Sequence, residues 1–169
     1  MTDLGLLKQF LGLEIEKYER GIMIRQNKYD LYLIIKFNMD DCKESKCPFL
    51  SGIKLGEFSD SSLVDCWLYR KLVGSLLYLT HTRPDLSYDV SVVARYMQWT
   101  HEVHWKAAKK ILQYVQGTKS FGVHYVLSSL LELVGFSDSD WDGDPNEKKS
   151  TSGFVFMVSD GPIFWPSNK

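Results

Sequence analysis

The sequence contains few cysteines and no long hydrophobic run, and each shortage excludes a class of protein. Its 3 cysteines, Cys42, Cys47 and Cys66, are not spaced as a zinc site requires, so we expect reduced thiols. No run of about 18 apolar residues is present to span a membrane, and residues 1–10 lack the basic start and apolar block of a signal peptide. We therefore expect an intracellular protein, cytoplasmic or nuclear, with no membrane partner.

An excess of one charge is also missing, because 20 basic and 21 acidic residues give a formal net charge of −1. This balance argues against a generic nucleic-acid binder. The distribution is uneven, however: residues 61–120 carry 8 basic and 4 acidic groups, and residues 121–169 carry 3 and 7. A basic middle and an acidic end suit a protein that binds a phosphate backbone on one part and metal on another. The alternative is an uneven solvated surface.

Residues 69–98 form the most apolar part of the chain, and their spacing predicts two buried helices joined by a break at residues 81–84. Pro84 suits the first turn of the second helix, where its missing N–H is no loss. Gly74, inside the first helix, costs about 1 kcal/mol relative to alanine, so we expect it to admit a neighbouring backbone. The first helix carries a wide inward stripe of Leu68, Leu72, Val73, Leu76, Leu77 and Leu79.

The flanking segments predict further elements, which together make an α+β fold with a helical middle. Residues 11–18 alternate between apolar and polar side chains and turn back at residues 20–21, which is typical of a β-hairpin. Residues 26–39 have helical periodicity, and residues 40–62 are a loop or linker. From residue 121 onward the pattern is one of short strands in an antiparallel meander.

A third helix is predicted over residues 100–116, with Thr100 as its N-cap and Gly117 ending it. Lys106, Lys109 and Lys110 share one face of this helix, where they bind phosphates as point charges or form a solvated surface. His101 and His104 are one turn apart without an evident third ligand, so we interpret them as surface or capping residues.

Four aspartates at alternate positions, Asp138, Asp140, Asp142 and Asp144, imitate the start of a calcium-binding EF-hand loop. The twelfth loop position must supply a bidentate glutamate but holds Lys149, and the preceding segment is strand-like where a helix is needed. The sequence therefore predicts no EF-hand site. The remaining readings are a carboxylate site for divalent metal and a solvated acidic turn.

Three segments, YRKLVGSLLYLTHTRPDLSYDVSVVARYMQ, VHWKAAKKILQYVQGT and SDSDWDGDPNEKKSTSGFVF, resemble in their order the Pol polyprotein of copia-type retrotransposons. The resemblance covers the C-terminal part of the reverse transcriptase, running into its ribonuclease H domain. It implies a primer-grip-like hairpin with a thumb-like helix and linker over residues 1–60, and a helical thumb and connection over residues 61–120. Residues 121–169 are then a truncated, incomplete ribonuclease H-like antiparallel sheet.

The resemblance also implies site residues. Asp138 matches the first metal-binding carboxylate of the ribonuclease H domain, which uses magnesium in the parent family. The polymerase aspartates lie upstream of Met1, which falls at an internal methionine of the family, and the other ribonuclease H carboxylates lie beyond Lys169. We therefore expect a fragment that is not an enzyme by itself, that holds no cofactor, and in which Asp138 binds metal only if the domain is completed.

The expected partners are nucleic acids. Lys106, Lys109, Lys110 and Arg83 are the candidate contacts to the backbone of an RNA–DNA hybrid or of DNA. The exposed edge of the incomplete sheet, at residues 132–136, is a candidate for self-association. The alternative hypothesis is a protein-interaction module derived from a retrotransposon. In this module, either Leu31 and Ile35 on the outer side of the first helix or the sheet edge binds another protein.

Overall fold

The computed structural model describes residues 6–48, 55, 62–127, 131–140 and 151–168. Within these residues it contains four α-helices and two antiparallel sheets, so the mixed helix and sheet content agrees with the sequence prediction. None of the described helices is long and apolar enough to cross a bilayer.

The predicted hairpin is part of the N-terminal sheet, in which Tyr18 pairs with Gly21 across a two-residue turn. An earlier turn places Leu11 and Gly12 at positive φ, 47° and 81°. Left-handed backbone is costly for leucine and free of that cost for glycine. Four strands form the sheet, in this order across it: β1 (Gln9–Phe10), β2 (Leu13–Tyr18), β3 (Gly21–Arg25) and β4 (Gly122–Val126).

The position of β4 corrects the sequence analysis, which placed residues 121–127 in the C-terminal meander. This strand pairs with β3, from Gly122 opposite Arg25 to Val126 opposite Gly21. Alternating residues predict that a strand forms, but its partner lies about 100 positions away and leaves no local signal. The N-terminal sheet therefore includes a strand from beyond the helical middle.

The helices lie between β3 and β4 in the chain and confirm the predicted helical middle. Leu72, Leu76, Leu86 and Leu112 have no exposed surface and belong to one hydrophobic core with Leu33. Pro84 begins the 3-10 helix, as expected for a residue without a backbone N–H. The elements are α1 (Asn27–Lys36), α2 (Cys66–Leu79), a 3-10 helix (Pro84–Leu86), α3 (Ser87–Ala94) and α4 (Glu102–Gly117).

The first residue of α4 differs from the sequence prediction. Its N-cap is His101, while the buried Thr100 donates a hydrogen bond from Oγ1 to the Tyr96 carbonyl at 2.9 Å. The expected capping role of the histidines is confirmed, because the backbone N–H of His101 donates to Nδ1 of His104 at 3.0 Å. The expected surface position is wrong for His104, which is 1% exposed.

The prediction for Gly74 is also corrected. It lies on the exposed side of α2, and a Cβ atom built there meets nothing within 4 Å. The predicted close approach of another backbone is therefore wrong. Leu77, on the same side of the helix, is 40% exposed, so the apolar stripe of α2 is narrower than the sequence indicated. The helix has an exposed side because the core contacts only its leucine-rich opposite side.

The C-terminal sheet is the predicted antiparallel meander. Its strands are β5 (Leu133–Asp140), β6 (Thr151–Val158), β7 (Gly161–Phe164) and β8 (Ser167–Asn168). β6 pairs with β5 on one side and with β7 and β8 on the other. Pro166 lies between β7 and β8 and cannot donate to the ladder, but its carbonyl accepts from the Phe154 N–H at 3.4 Å. The two sheets meet where Tyr125 Oη donates to the Pro162 carbonyl at 2.7 Å.

Candidate nucleic-acid interface

The three predicted lysines lie together on the outer side of α4. On the opposite side of the helix, Ala108, Ile111, Leu112 and Val115 are almost completely buried in the core. Since residues three and four apart are neighbours on a helix, Lys106, Lys109 and Lys110 form one basic group, called the α4 lysine face here. A buried helix therefore holds this face rigidly.

Two of these lysines also have contacts within the helix. Lys106 Nζ lies 2.7 Å from Glu102 Oε1, and this hydrogen bond with the lysine lowers the pKa of Glu102. Lys109 Nζ lies 5.5 Å from the centroid of the Trp105 ring. The ion pair is exposed, with 68% of the Lys106 side chain accessible, and pairs of this kind contribute little to stability. Both ammonium groups remain within reach of an external anion.

Arg83 does not join this face. It is 1% exposed, and its guanidinium donates to Asp85 and to both the carbonyl and the hydroxyl oxygen of Thr118. These internal acceptors occupy Arg83 here, and its contact with a nucleic-acid backbone stays a prediction. Burial lowers the pKa of Arg83, but the hydrogen bonds and charge of Asp85 outweigh burial and the net direction is upward. Its position ties the 3-10 helix to the end of α4.

Asp138 lies on β5, opposite Gly153, and its side chain is exposed. It borders a cavity of about 310 Å³ together with Tyr88, Phe154 and Trp165. Magnesium at a two-metal centre requires several converging carboxylates, whereas the described lining of this cavity adds to Asp138 only a glycine and aromatic, aliphatic, proline and hydroxyl side chains. These residues do not fit a two-magnesium centre.

The rest of the acidic segment lies outside what the structure describes. This holds for Asp142 and Asp144, and for the side chain of Asp140. Among the residues that are described, no group of three or more histidine, cysteine, aspartate or glutamate side chains is close enough to hold a metal ion.

A buried polar cluster was missed by the sequence analysis. Asp30 on α1 is 1% exposed, and burial raises its pKa to about 7, although the charge of Arg83 acts in the opposite direction. No hydrogen-bond donor from the described part of the chain reaches either carboxylate oxygen. The nearby Thr82 hydroxyl donates to Gln26 Oε1 at 2.7 Å. The available signal was spacing, because Asp30 is one turn before the inward residues Leu33 and Ile34.

A second group of lysines was also missed, because residues 40–62 were interpreted only as a linker. Ser45 N–H donates to the Gln113 carbonyl at 3.0 Å, and Gln116 Nε2 donates to the Asp40 carbonyl at 3.1 Å. These bonds hold the segment along the last turns of α4. Lys43 and Lys46 are thereby placed beside a cavity of about 730 Å³ at the end of that helix. Spacing alone does not predict this contact.

Comparison with known proteins finds relatives among transposon proteins. The chain is 38% identical over 163 residues to the retrovirus-related Pol polyprotein from transposon RE2 of Arabidopsis thaliana, covering 96% of the chain and 11% of that protein. It is 34% identical over 176 residues to the corresponding polyprotein from transposon TNT 1-94 of Nicotiana tabacum, covering 99% and 13%. The chain therefore spans 11–13% of the length of these two relatives.

A shorter relative is matched over most of its length. The uncharacterized mitochondrial protein AtMg00810 of Arabidopsis thaliana is 33% identical over 173 residues, covering 100% of the chain and 70% of that protein. No family model matches the chain, and no solved structure matches it. On these relationships, the chain belongs to the same family as AtMg00810 and is homologous to retrovirus-related Pol polyproteins of transposons.

Proposed function

We propose that the chain is a segment of a copia-type retrotransposon Pol polyprotein that binds the sugar–phosphate backbone of an RNA–DNA hybrid and is not catalytic by itself. In this proposal residues 1–60 correspond to the primer-grip-like hairpin and thumb-like helix, residues 61–120 to the thumb and connection, and residues 121–169 to the start of a ribonuclease H-like sheet. The motif order and the similarity to transposon polyproteins support this assignment.

One observation carries the binding proposal: the α4 lysine face points outward from a helix whose other side is buried. A buried helix fixes the backbone positions of the three lysines, so their attraction to phosphate costs little backbone ordering. Each phosphate contact releases condensed counterions, which makes binding strongly dependent on salt. The chain needs no large positive net charge for this, because three lysines lie together on one side of one helix.

The experiment measures affinity for a blunt RNA–DNA hybrid over a series of salt concentrations. Replacing Lys106, Lys109 and Lys110 together by glutamine should lower the slope of log Kobs against log salt concentration by roughly 3 units. The matched control replaces the exposed Lys8, Lys17 and Lys28, which removes the same charge from the N-terminal sheet and α1. If both triple variants change the slope equally, net charge and not the α4 lysine face is responsible.

Catalysis by this chain alone is not part of the proposal. The described side chains around Asp138 form an aromatic cavity and not a cluster of carboxylates. Trp165 is fixed in this cavity by a 2.8 Å hydrogen bond from Nε1 to the Thr80 carbonyl. In the complete parent polyprotein, magnesium would supply the charge that stabilises the transferred phosphoryl group. Asp138 would be one of its ligands there.

A protein-interaction module is the second candidate, and the outer side of α1 favours it. Leu31, Tyr32 and Ile35 are 42%, 53% and 66% exposed and lie within one turn of each other. The salt series distinguishes the two candidates, since backbone binding weakens steeply with salt and apolar docking does not. A chain that fails to bind the hybrid even at low salt would favour the interaction module.

A further inference from the structure

The cavity of about 730 Å³ at the C-terminal end of α4 continues the α4 lysine face. Lys106, Lys110, Tyr114 and Gly117 are spaced by three or four residues and therefore follow one side of the helix. At a rise of 1.5 Å per residue, the distance along the helix from Lys110 to Gly117 is about 10 Å. Tyr114 and Gly117 both line the cavity. A strand held by the lysine face can therefore extend directly into it.

The cavity offers a supported aromatic ring. Phe121 is 50% exposed, and the Arg83 guanidinium carbon lies 5.4 Å from the centroid of its ring. Arg83 is itself held by Asp85 and Thr118, and the Phe121 backbone N–H donates to the Thr118 carbonyl at 3.0 Å. The ring is therefore positioned from its buried side and open to solvent on the other. Rings held in this way serve as stacking platforms for bases.

Charge at the cavity favours an anion on one side. Lys43 and Lys46 are exposed, and the segment that carries them is fastened to α4 by the two hydrogen bonds described above. Glu44, the acidic group of the lining, lies against Gly117, close to the negative end of the helix dipole. A phosphate is therefore attracted to the two lysines and repelled from the last turn of the helix, next to which Phe121 lies.

We infer that this cavity binds an unpaired nucleotide, with its base stacked on Phe121 and its phosphates at Lys43 and Lys46. The inference rests on the proposed function, because the α4 lysine face holds the paired part of the same strand. An aromatic ring and two ammonium groups border the same cavity, and a nucleotide combines a flat base with an anionic phosphate. Stacking tolerates every base, so we expect no strong sequence preference.

The experiment compares three probes: a blunt RNA–DNA hybrid, the same hybrid with a short thymidine overhang, and the same hybrid with an overhang of abasic nucleotides. The protein should bind the thymidine overhang at least about fivefold more tightly than the abasic overhang. Phe121→Leu should abolish this difference while affinity for the blunt hybrid is retained. Phe164→Leu is the matched control, because Phe164 is a similarly exposed phenylalanine, 53% accessible, on the C-terminal sheet.

A second variant does not depend on the aromatic ring. Lys43→Gln with Lys46→Gln should weaken binding of both overhangs several-fold relative to the blunt hybrid, since the abasic strand keeps its phosphates. Equal affinity of the unchanged protein for the two overhangs would overturn the inference, while the salt slope on the blunt hybrid would still support the proposed function. A Phe121→Leu variant that weakens all three probes equally would also overturn it. Failure to bind any probe would reject both proposals.

Discussion

The guanidinium of Arg83 and the carboxylate of Asp85 form a two-bond ion pair, with Nη2 2.7 Å from Oδ2 and Nε 2.9 Å from Oδ1. The arginine side chain is 1% exposed, whereas the aspartate side chain is 33% exposed. The same guanidinium donates to Thr118 at the end of α4, 35 positions along the chain. Arg83 therefore joins two helices that the chain order keeps apart.

Arg83→Lys should destabilise the fold by about 2 kcal/mol or more, because an ammonium group does not reproduce the planar fork and leaves buried acceptors without a donor. Urea unfolding followed by circular dichroism measures this change. Arg20→Lys, at an exposed turn, is the control and should have almost no effect. Equal stability of the Arg83 variant and the unchanged protein would contradict the role given to the fork.

Gly74→Ala should stabilise the protein by roughly 1 kcal/mol, because alanine has the higher helix propensity and its Cβ meets open space. Gly12→Ala should do the opposite. At Gly12 the backbone φ is +81°, and a Cβ there would clash with the Tyr78 hydroxyl. Thermal unfolding of both variants checks the pair, and a loss of stability in Gly74→Ala would place another backbone against α2.

Asp30 should make the protein less stable as pH rises from about 4 to about 7. The folded pKa of about 7 lies above the ordinary aspartate value of 3.8, so the folded state binds more protons than the unfolded state in this window, and its stability falls as pH rises. Asp30→Asn should remove this dependence and increase stability above pH 7, by at most about 4 kcal/mol.

Two further variants serve as comparisons in the same measurement. Burial also raises the pKa of Asp89, to about 6, so Asp89→Asn should remove a smaller part of the dependence. Asp40→Asn, which removes an exposed carboxylate, is the control for the loss of one negative charge. Urea unfolding at a series of pH values measures the free energy of unfolding of each variant. The same pH dependence in Asp30→Asn and in the unchanged protein would contradict the prediction and would mean that the Asp30 carboxylate is solvated.

We expect no magnesium-dependent cleavage of an RNA–DNA hybrid by this chain. The described residues around Asp138 do not supply the converging carboxylates that two magnesium ions require. The assay incubates purified protein with a labelled hybrid and magnesium. Cleavage that survives repurification and disappears in Asp138→Asn would overturn the expectation, whereas cleavage that persists in this variant would indicate a contaminating nuclease.

We expect the chain to self-associate through β5. Among the described strands, β5 pairs with β6 alone, and Leu133 and Phe136 on it are 66% and 58% exposed. An edge of this kind is a template for pairing with a second copy. Phe136→Lys should therefore reduce the apparent mass in light scattering, and Trp67→Lys, at a 67% exposed helical position, should not. A monomer at both low and high salt would contradict this prediction.

The helices were largely predictable because their signal is local. Apolar residues three and four apart identified α1, α2 and α4, and Pro84 identified the break before α3. The antiparallel order of β5, β6 and β7 followed from short alternating segments separated by turns. The grouping of Lys106, Lys109 and Lys110 needed only the helical repeat. Each of these features depends on residues within a few positions of one another.

Other features depend on contacts between residues far apart in sequence, and they became visible once the fold was known. The pairing of β4 with β3, the burial of Arg83 by Thr118, and the position of Lys43 and Lys46 beside Phe121 all join segments far apart in sequence. Gly74 is a further example. Its low helix propensity is a local property, whereas its exposure depends on how α2 packs against the core. Local spacing along the chain predicts which residues share a face of each helix or strand. Packing of the elements against each other decided which faces are buried, because burial is a property of the whole folded chain.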